Sequence, residues 1–386
     1  MQSPSRRYRH FHRIAWLAVA LTLVVIVFGA FVRLSDAGLS CPDWPTCYGR
    51  AAWPTSASQA AGHAATAIRP VEPHKAWREQ VHRHLAAALG FVVLGLALLA
   101  ARRERFGSAW ILCASALIAL AIALYMRESG TAAMTMAVSG GLLLAVAAWR
   151  WWSKPGEEGE DHLSSIAVLV LLVIVFQALL GMWTVTWLLK PIVVMAHLLG
   201  GLLTLSLLIW LAWRATDRPI RLAQANSLRA WAWLALAVLA LQIALGGWVS
   251  ANYAALACGQ DFPQCVSRWW PPHDFREGFV FWRTIGVDYE GGVLDGEARI
   301  AIHLAHRIMA VAAAAGLIGF ALRLWRTVGM RGWAALLLLL TAAQVALGIA
   351  NVKLGLPLTV AVLHNAGAAL LLSVLVTLLA RMRQPG

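Results

Sequence analysis

The chain has 386 residues, of which 60% are hydrophobic and only 13% charged, with a mean hydropathy of +0.68 and a formal net charge of +14. This balance excludes a water-soluble enzyme, whose surface needs far more charge. The basic excess would suit a nucleic-acid binder, but the placement of the charges removes that reading.

Apolar runs long enough to cross a bilayer recur along the whole chain. The first covers roughly 14–34, after the basic stretch MQSPSRRYRHFHR. No small-residue cleavage site follows, and GAFVRLSDAGLS has the character of a functional helix end, so the run is expected to stay as a span rather than leave as a signal peptide. A loop at 35–80 containing CPDWPTC leads through WREQVHRHLA into a span at 84–101. Spans at 108–126, 131–149, 163–187, 191–213 and 230–250 follow. A second long loop, 251–299, holds CGQDFPQC, and RIAIHLAHRIMA opens a span at 300–322 before the last two at 332–352 and 358–380. The expected fold is an all-α polytopic membrane protein of about ten spans, each helix closing its own backbone hydrogen bonds.

The N-terminus, the loops near 102–107, 150–162, 214–229 and 323–331, and the tail RMRQPG carry 18 Lys and Arg, whereas the short loops near 127–130, 188–190 and 353–357 carry 3. That bias places both termini in the cytoplasm and the two long loops outside. Four of the five cysteines lie in those long loops, as Cys41 and Cys47 and as Cys258 and Cys265. An oxidising compartment and close spacing favour one short disulfide per loop. The rival reading, a thiolate metal site, lacks a CxxC pair. Cys113, alone in an apolar span, reads as an inert core residue.

An internal repeat organises the chain. GAFVRLSDAGLSCPDWPTC (29–47) aligns with GGWVSANYAALACGQDFPQC (246–265), and His82–Arg83 aligns with His306–Arg307 at an offset of 224. Gln177, Gly181, Val185 and His197 map onto Gln344, Gly348, Val352 and His364 at an offset of 167. The chain therefore reads as two four-helix halves in parallel topology, 1–225 and 226–386. A hairpin inserted at about 106–150 in the first half holds no histidine and no intramembrane acid.

A single histidine in a membrane helix is often only a hydrogen-bonding partner for its neighbour. Four that recur in register and at one depth weigh differently. Two imidazoles from different helices of a four-helix bundle suit an axially ligated heme, whereas zinc wants more ligands and more polar company. Each half thus reads as a heme pocket, His82 with His197 and His306 with His364. Arg83 and Arg307 are candidates to pair with heme propionates, or else to snorkel toward lipid phosphate. The symmetry breaks three residues before the paired histidines, where Glu79 stands opposite His303. Glu79 is expected near the water boundary, with Arg78 or Lys75 as the partner in a purely structural reading. His74 and His84 are boundary residues and not ligands.

These residues resemble the heme A synthase family. The resemblance rests on GAFVRLSDAGLSCPDWP after the first span, Glu-x-x-His-Arg opening the second, AHL after a QxxxG helix, and a His–Arg and a deep His in the second half. The loop from DFPQC through WWPPHDF to REGF is similar to the proteobacterial branch, and the extra hairpin departs from the usual eight-span pattern. The resemblance implies an oxidoreductase of the bacterial cytoplasmic (inner) membrane with its heme pockets toward the periplasm. Such an enzyme converts a methyl group of heme O to a formyl group by successive hydroxylation. It implies a resident heme b on His306 and His364, substrate heme O between His82 and His197, and Glu79 as the catalytic carboxylate beside the reacting methyl. The partners implied are the lipid bilayer, the farnesyltransferase that makes heme O and an electron acceptor or donor; homo-oligomerisation stays open, and nucleic acid has no place. Two other classes remain: a two-heme b-type electron carrier linked to quinol, which would not need Glu79, and a heme transporter, which would want a translocation path and a partner ATPase.

Overall fold

The computed structural model describes residues 10–153 and 162–385. The basic stretch 1–9, the segment 154–161 and Gly386 lie outside the described residues, and with them part of the charge pattern. Ten described helices are long and apolar enough to cross a bilayer. They are α1 Phe11–Leu34, α2 Pro73–Ala101, α3 Gly107–Tyr125, α4 Gly130–Trp152, α5 Leu163–Thr186, α6 Pro191–Thr216, α7 Ala225–Ala251, α9 Gly296–Trp325, α10 Arg331–Lys353 and α11 Leu358–Arg381. A one-turn helix, α8 Phe275–Gly278, lies in the second long loop. Among the described residues the only sheet is a two-residue parallel pair, β1 Ile220–Arg221 with β2 Met382–Arg383. The protein is an all-α polytopic membrane protein.

Seven of the ten spans start and end within about three residues of their apolar runs and α7 starts at 225 rather than 230, but α2 and α9 begin earlier than the expected 84 and 300. The reason is chemical. Hydropathy registers only the apolar part of a helix, and the first turns of these two, PHKAWREQ and GEARIAIH, are polar. Pro73 sits at the start of α2, where its missing N–H costs nothing. Asp295 caps α9, its carboxylate accepting the Ala298 amide at 2.8 Å. With 29 and 30 residues these helices run about 44 Å, well beyond roughly 30 Å of hydrocarbon. His82 and His306 consequently lie about two and a half to three turns inside their helices rather than at the starts.

The chain divides into two compact units, residues 1–22, 86–178 and 203–218 forming one, and 23–85, 179–202 and 219–386 the other. In the first, α3 packs on α4 so tightly that a Cβ at Gly140 would stand 2.9 Å from the Ala114 carbonyl oxygen. There Trp16 meets Trp213 edge-on at 4.9 Å and donates its indole N–H to Thr216 Oγ1 at 3.2 Å. Cys113 is exposed on α3 rather than in a core, as suits a small apolar thiol in a lipid-facing position. In the second unit α7, α9, α10 and α11 pack each on the next and α11 returns to α7. Arg229 Nη1 donates to the Leu379 and Met382 carbonyls at 2.9 and 3.0 Å, satisfying acceptors at the α11 C-terminus.

Cys41 is bonded to Cys47 and Cys258 to Cys265, so both loops carry their expected disulfide and their thiols are not available to a metal. The repeat extends to backbone detail here. Cys47 bridges to Arg50 as Cys265 does to Arg268, and the left-handed residues Tyr48 and Gly49 match Val266 and Ser267. Alkylation of unreduced, denatured protein is expected to modify one thiol, Cys113, and of reduced protein all five. A mass corresponding to five modified thiols without reductant would contradict both bridges.

Candidate functional site

Each of the four histidines lies against a glycine of the preceding span. A Cβ at Gly29 on α1 would stand 2.7 Å from Cε1 of His82 on α2, and one at Gly181 on α5 would stand 3.3 Å from Cε1 of His197 on α6. The second half repeats the pattern, with Gly246 on α7 under His306 of α9 at 3.0 Å and Gly348 on α10 under His364 of α11 at 3.2 Å. A Cβ at Gly29 would collide with the ring, and at Gly246, Gly348 and Gly181 the imidazole would have to yield slightly, so glycine gives each ring its close seat on the neighbouring helix. His197 is close enough to His82 to act on its charge, and His364 stands in the same relation to His306. The structure therefore brings the histidines together in the two pairs read from the repeat.

The pairs fit a planar iron porphyrin. Nδ1 of His82 and of His364 is buried without a hydrogen-bond partner, which is costly unless something else occupies the pocket. Gln242 Nε2 is 3.1 Å from His306 Nδ1, and Gln344 Nε2 donates to the His364 carbonyl at 2.9 Å. Gln242 thus contacts the His306 ring and Gln344 holds the His364 backbone, and imidazole nitrogen is a donor of the kind heme iron takes. The glycines were visible in the sequence as matched repeat positions, yet their role is not legible there, because a Gly against a ring and a Gly against lipid read alike. Gly29→Val is expected to push His82 aside and weaken porphyrin binding at that pair roughly five- to 150-fold, from about 1–3 kcal/mol of overpacking. Spectra of the His306–His364 pair should be unchanged, and equal loss at both pairs would instead indicate general misfolding.

Glu79 is buried at 5% exposure, not set near water as expected. Its Oε2 accepts the Cys41 amide at 2.8 Å and Ser40 Oγ at 3.0 Å, and its Oε1 pairs with Arg83 Nη2 at 2.5 Å. The partner is thus Arg83, one turn on, while Lys75 pairs with Glu72 and Arg78 lies over Phe31. The long polar start of α2 makes this possible, since the first loop folds back over it and covers the carboxylate.

Arg83 also donates to the Cys41, Asp43 and Thr46 carbonyls at 3.1, 2.7 and 2.6 Å. Arg307 does the same in the second loop, to Asp261 and Gln264 carbonyls at 2.8 and 2.9 Å. Both arginines are clamps on a disulfide loop, and a propionate at either would compete with backbone carbonyls. Within the first loop, burial alone would raise the Asp43 pKa, but hydrogen bonds from Thr46 Oγ1 and the Gly49 and Tyr48 amides outweigh it and hold the carboxyl below its ordinary range. The counterpart of Glu79, His303, is buried and bonded through Nδ1 to the Ala254 carbonyl at 2.9 Å. One pair therefore has a preorganised carboxylate one turn away, and the other has an imidazole tied to backbone. His84 contacts the Ala51 carbonyl at 3.0 Å, and His74 is exposed beside Glu72, so neither joins a pair.

The sequence matches the COX15-CtaA family, described as cytochrome oxidase assembly protein, over residues 12–124 and 133–376. It is 38% identical over 373 residues to the heme A synthase of Shewanella oneidensis, covering 95% of this chain and 96% of that protein. The heme A synthase of Sphingopyxis alaskensis is 28% identical over 384 residues, covering 95% and 90% respectively. That of Caulobacter vibrioides is 31% identical over 219 residues, or 54% of this chain and 60% of that protein.

Proposed function

This chain belongs to the COX15-CtaA family of cytochrome oxidase assembly proteins, and from that membership we propose that it is a heme A synthase, an oxidoreductase that converts a methyl group of heme O to a formyl group. The observation that carries the proposal is the pairing of histidines across helices in both halves of the repeat, with a buried carboxylate beside one pair only. An electron carrier has no use for a buried carboxylate beside one porphyrin, whereas an enzyme that alters that porphyrin does.

In this reading the first half, 1–225, holds the substrate heme O between His82 and His197. The second, 226–386, holds heme b through His306 and His364. When bound, that heme supplies one-electron chemistry. Removing electrons from a methyl carbon builds positive charge on it, and Glu79, held as an anion acceptor by the Cys41 amide, Ser40 and Arg83, stabilises that charge or takes the proton of an attacking water. Arg83 and the disulfide loop hold Glu79 in place. The glycines under the rings fix the imidazoles before the porphyrin arrives, which lowers the ordering cost of binding.

The charge bias supports a bacterial cytoplasmic membrane location with cytoplasmic termini and with the disulfide loops and heme pockets toward the periplasm. Heme O is itself lipid-soluble, so the farnesyltransferase that makes it is the natural supplier within the same bilayer. The test is expression in cells that make heme O but lack this activity, followed by extraction and chromatography of the hemes. Heme A is the expected product; unaltered heme O alongside a protein loaded with two b-type hemes would establish the electron carrier instead.

A further inference from the structure

Binding a porphyrin places two carboxylates as well as an iron, and Arg83 and Arg307 already serve loop carbonyls. Two other cations are without oxygen partners. Lys190 is completely buried, and Nζ has no hydrogen-bond partner; it lies 3.4 Å from the ring centroid of Trp282 and 5.4 Å from that of Trp187. Arg78 lies over the rings of Phe31 and Trp77 at 5.1 and 5.9 Å, and its buried Nε is likewise unpartnered. Aromatic faces only partly replace the hydration that a buried cation gives up. Among the described residues, no carboxylate of the chain pairs with either cation.

Their placement says which anion fits. Arg78 precedes His82 by four residues on the same face of α2, and Lys190 stands immediately before α6, seven residues ahead of His197, so each lies one or two turns nearer the disulfide-loop end than its histidine. The repeat supplies a control. The counterparts of Arg78 and Lys190, at the offsets that align the histidines, are Ile302 and Pro357, so these two positions carry a cation in the first half only, while Arg299 of the second half stands at the Lys75 position. Resting on the reading of that pair as the substrate pocket, we propose that Arg78 and Lys190 bind the two propionate carboxylates of the porphyrin held by His82 and His197. Trp282, itself 66% exposed, covers Lys190 until the carboxylate arrives. The pair of cations selects an acidic porphyrin and fixes its rotation in the plane, and hence which methyl group meets Glu79.

Full-length protein carrying its resident heme, in nanodiscs, is titrated with hemin and with hemin dimethyl ester, followed by the Soret band. Wild type is expected to prefer hemin by about tenfold per charge-assisted pair. Arg78→Gln and Lys190→Met should each remove about tenfold of that preference, and the double variant should bind acid and ester alike, with ester affinity and resident heme as in wild type. Arg78→Lys should keep most of the preference. An equal loss for acid and ester means a structural role and overturns the proposal. So does a preference that follows the phosphatidylglycerol content of the nanodisc, which would assign the cations to lipid headgroups. Hemin binding unchanged in His82→Ala overturns the substrate pocket and this proposal with it. Binding lost in His82→Ala, with acid preferred over ester as in wild type by the double variant, overturns this proposal alone.

Discussion

Replacing Glu79 by Gln is expected to lower heme A formation about a hundred- to a thousandfold, the loss of roughly 3–4 kcal/mol that one preorganised group supplies to a developing charge. Gln keeps the size and can still accept from the Cys41 amide and Ser40. What it loses is the charge. The substitution also has a structural effect that a residue near water would not have. Glu79 and Arg83 form a buried ion pair, and breaking such a pair by removing one partner typically costs about 3–5 kcal/mol. Three loop carbonyls remain to Arg83, which places the expected loss of stability at the low end of that range. The variant should therefore melt earlier yet retain its resident heme, and the half-oxidised alcohol should accumulate if the second oxidation leans on the carboxylate more than the first. Extracted hemes separated by chromatography read this directly. Undiminished heme A, in a protein of lowered stability, would reduce Glu79 to a loop tether.

His306→Ala or His364→Ala is expected to abolish the spectrum of the resident heme, since a single remaining ligand leaves a five-coordinate and weakly held iron. His82→Ala should keep that spectrum and make no heme A. The asymmetry follows from which pair has the carboxylate, and not from the histidines, which are alike in both halves. Purified variants compared by reduced-minus-oxidised spectra and heme extraction would decide it. Loss of all heme in every variant would show that the two pairs do not divide the work.

Much of this protein is legible in one dimension because a bilayer imposes one-dimensional rules. A span must be apolar for its whole crossing, so its ends follow composition, as they do at α5, α10 and α11. Histidines that recur in two halves of a repeat announce themselves by register, which is how His82, His197, His306 and His364 can be paired without coordinates. The same holds for the local disulfides, whose partners are a few residues apart.

What the sequence could not carry is anything that depends on a loop folding back. Whether Glu79 meets water or Arg83, and whether Arg83 faces a ligand or the carbonyls of 41–46, turns on the path of loop 35–72 over α2, which no periodicity encodes. The same is true of Lys190, a plain loop charge in the sequence, which is buried because Trp282, some ninety residues later, lies across it. Apolar periodicity determines which segments enter the membrane and which faces they share. The environment of a polar group is set by its neighbours in space, and for Glu79, Arg78 and Lys190 those neighbours include distant parts of the chain, so only the tertiary structure decided their surroundings.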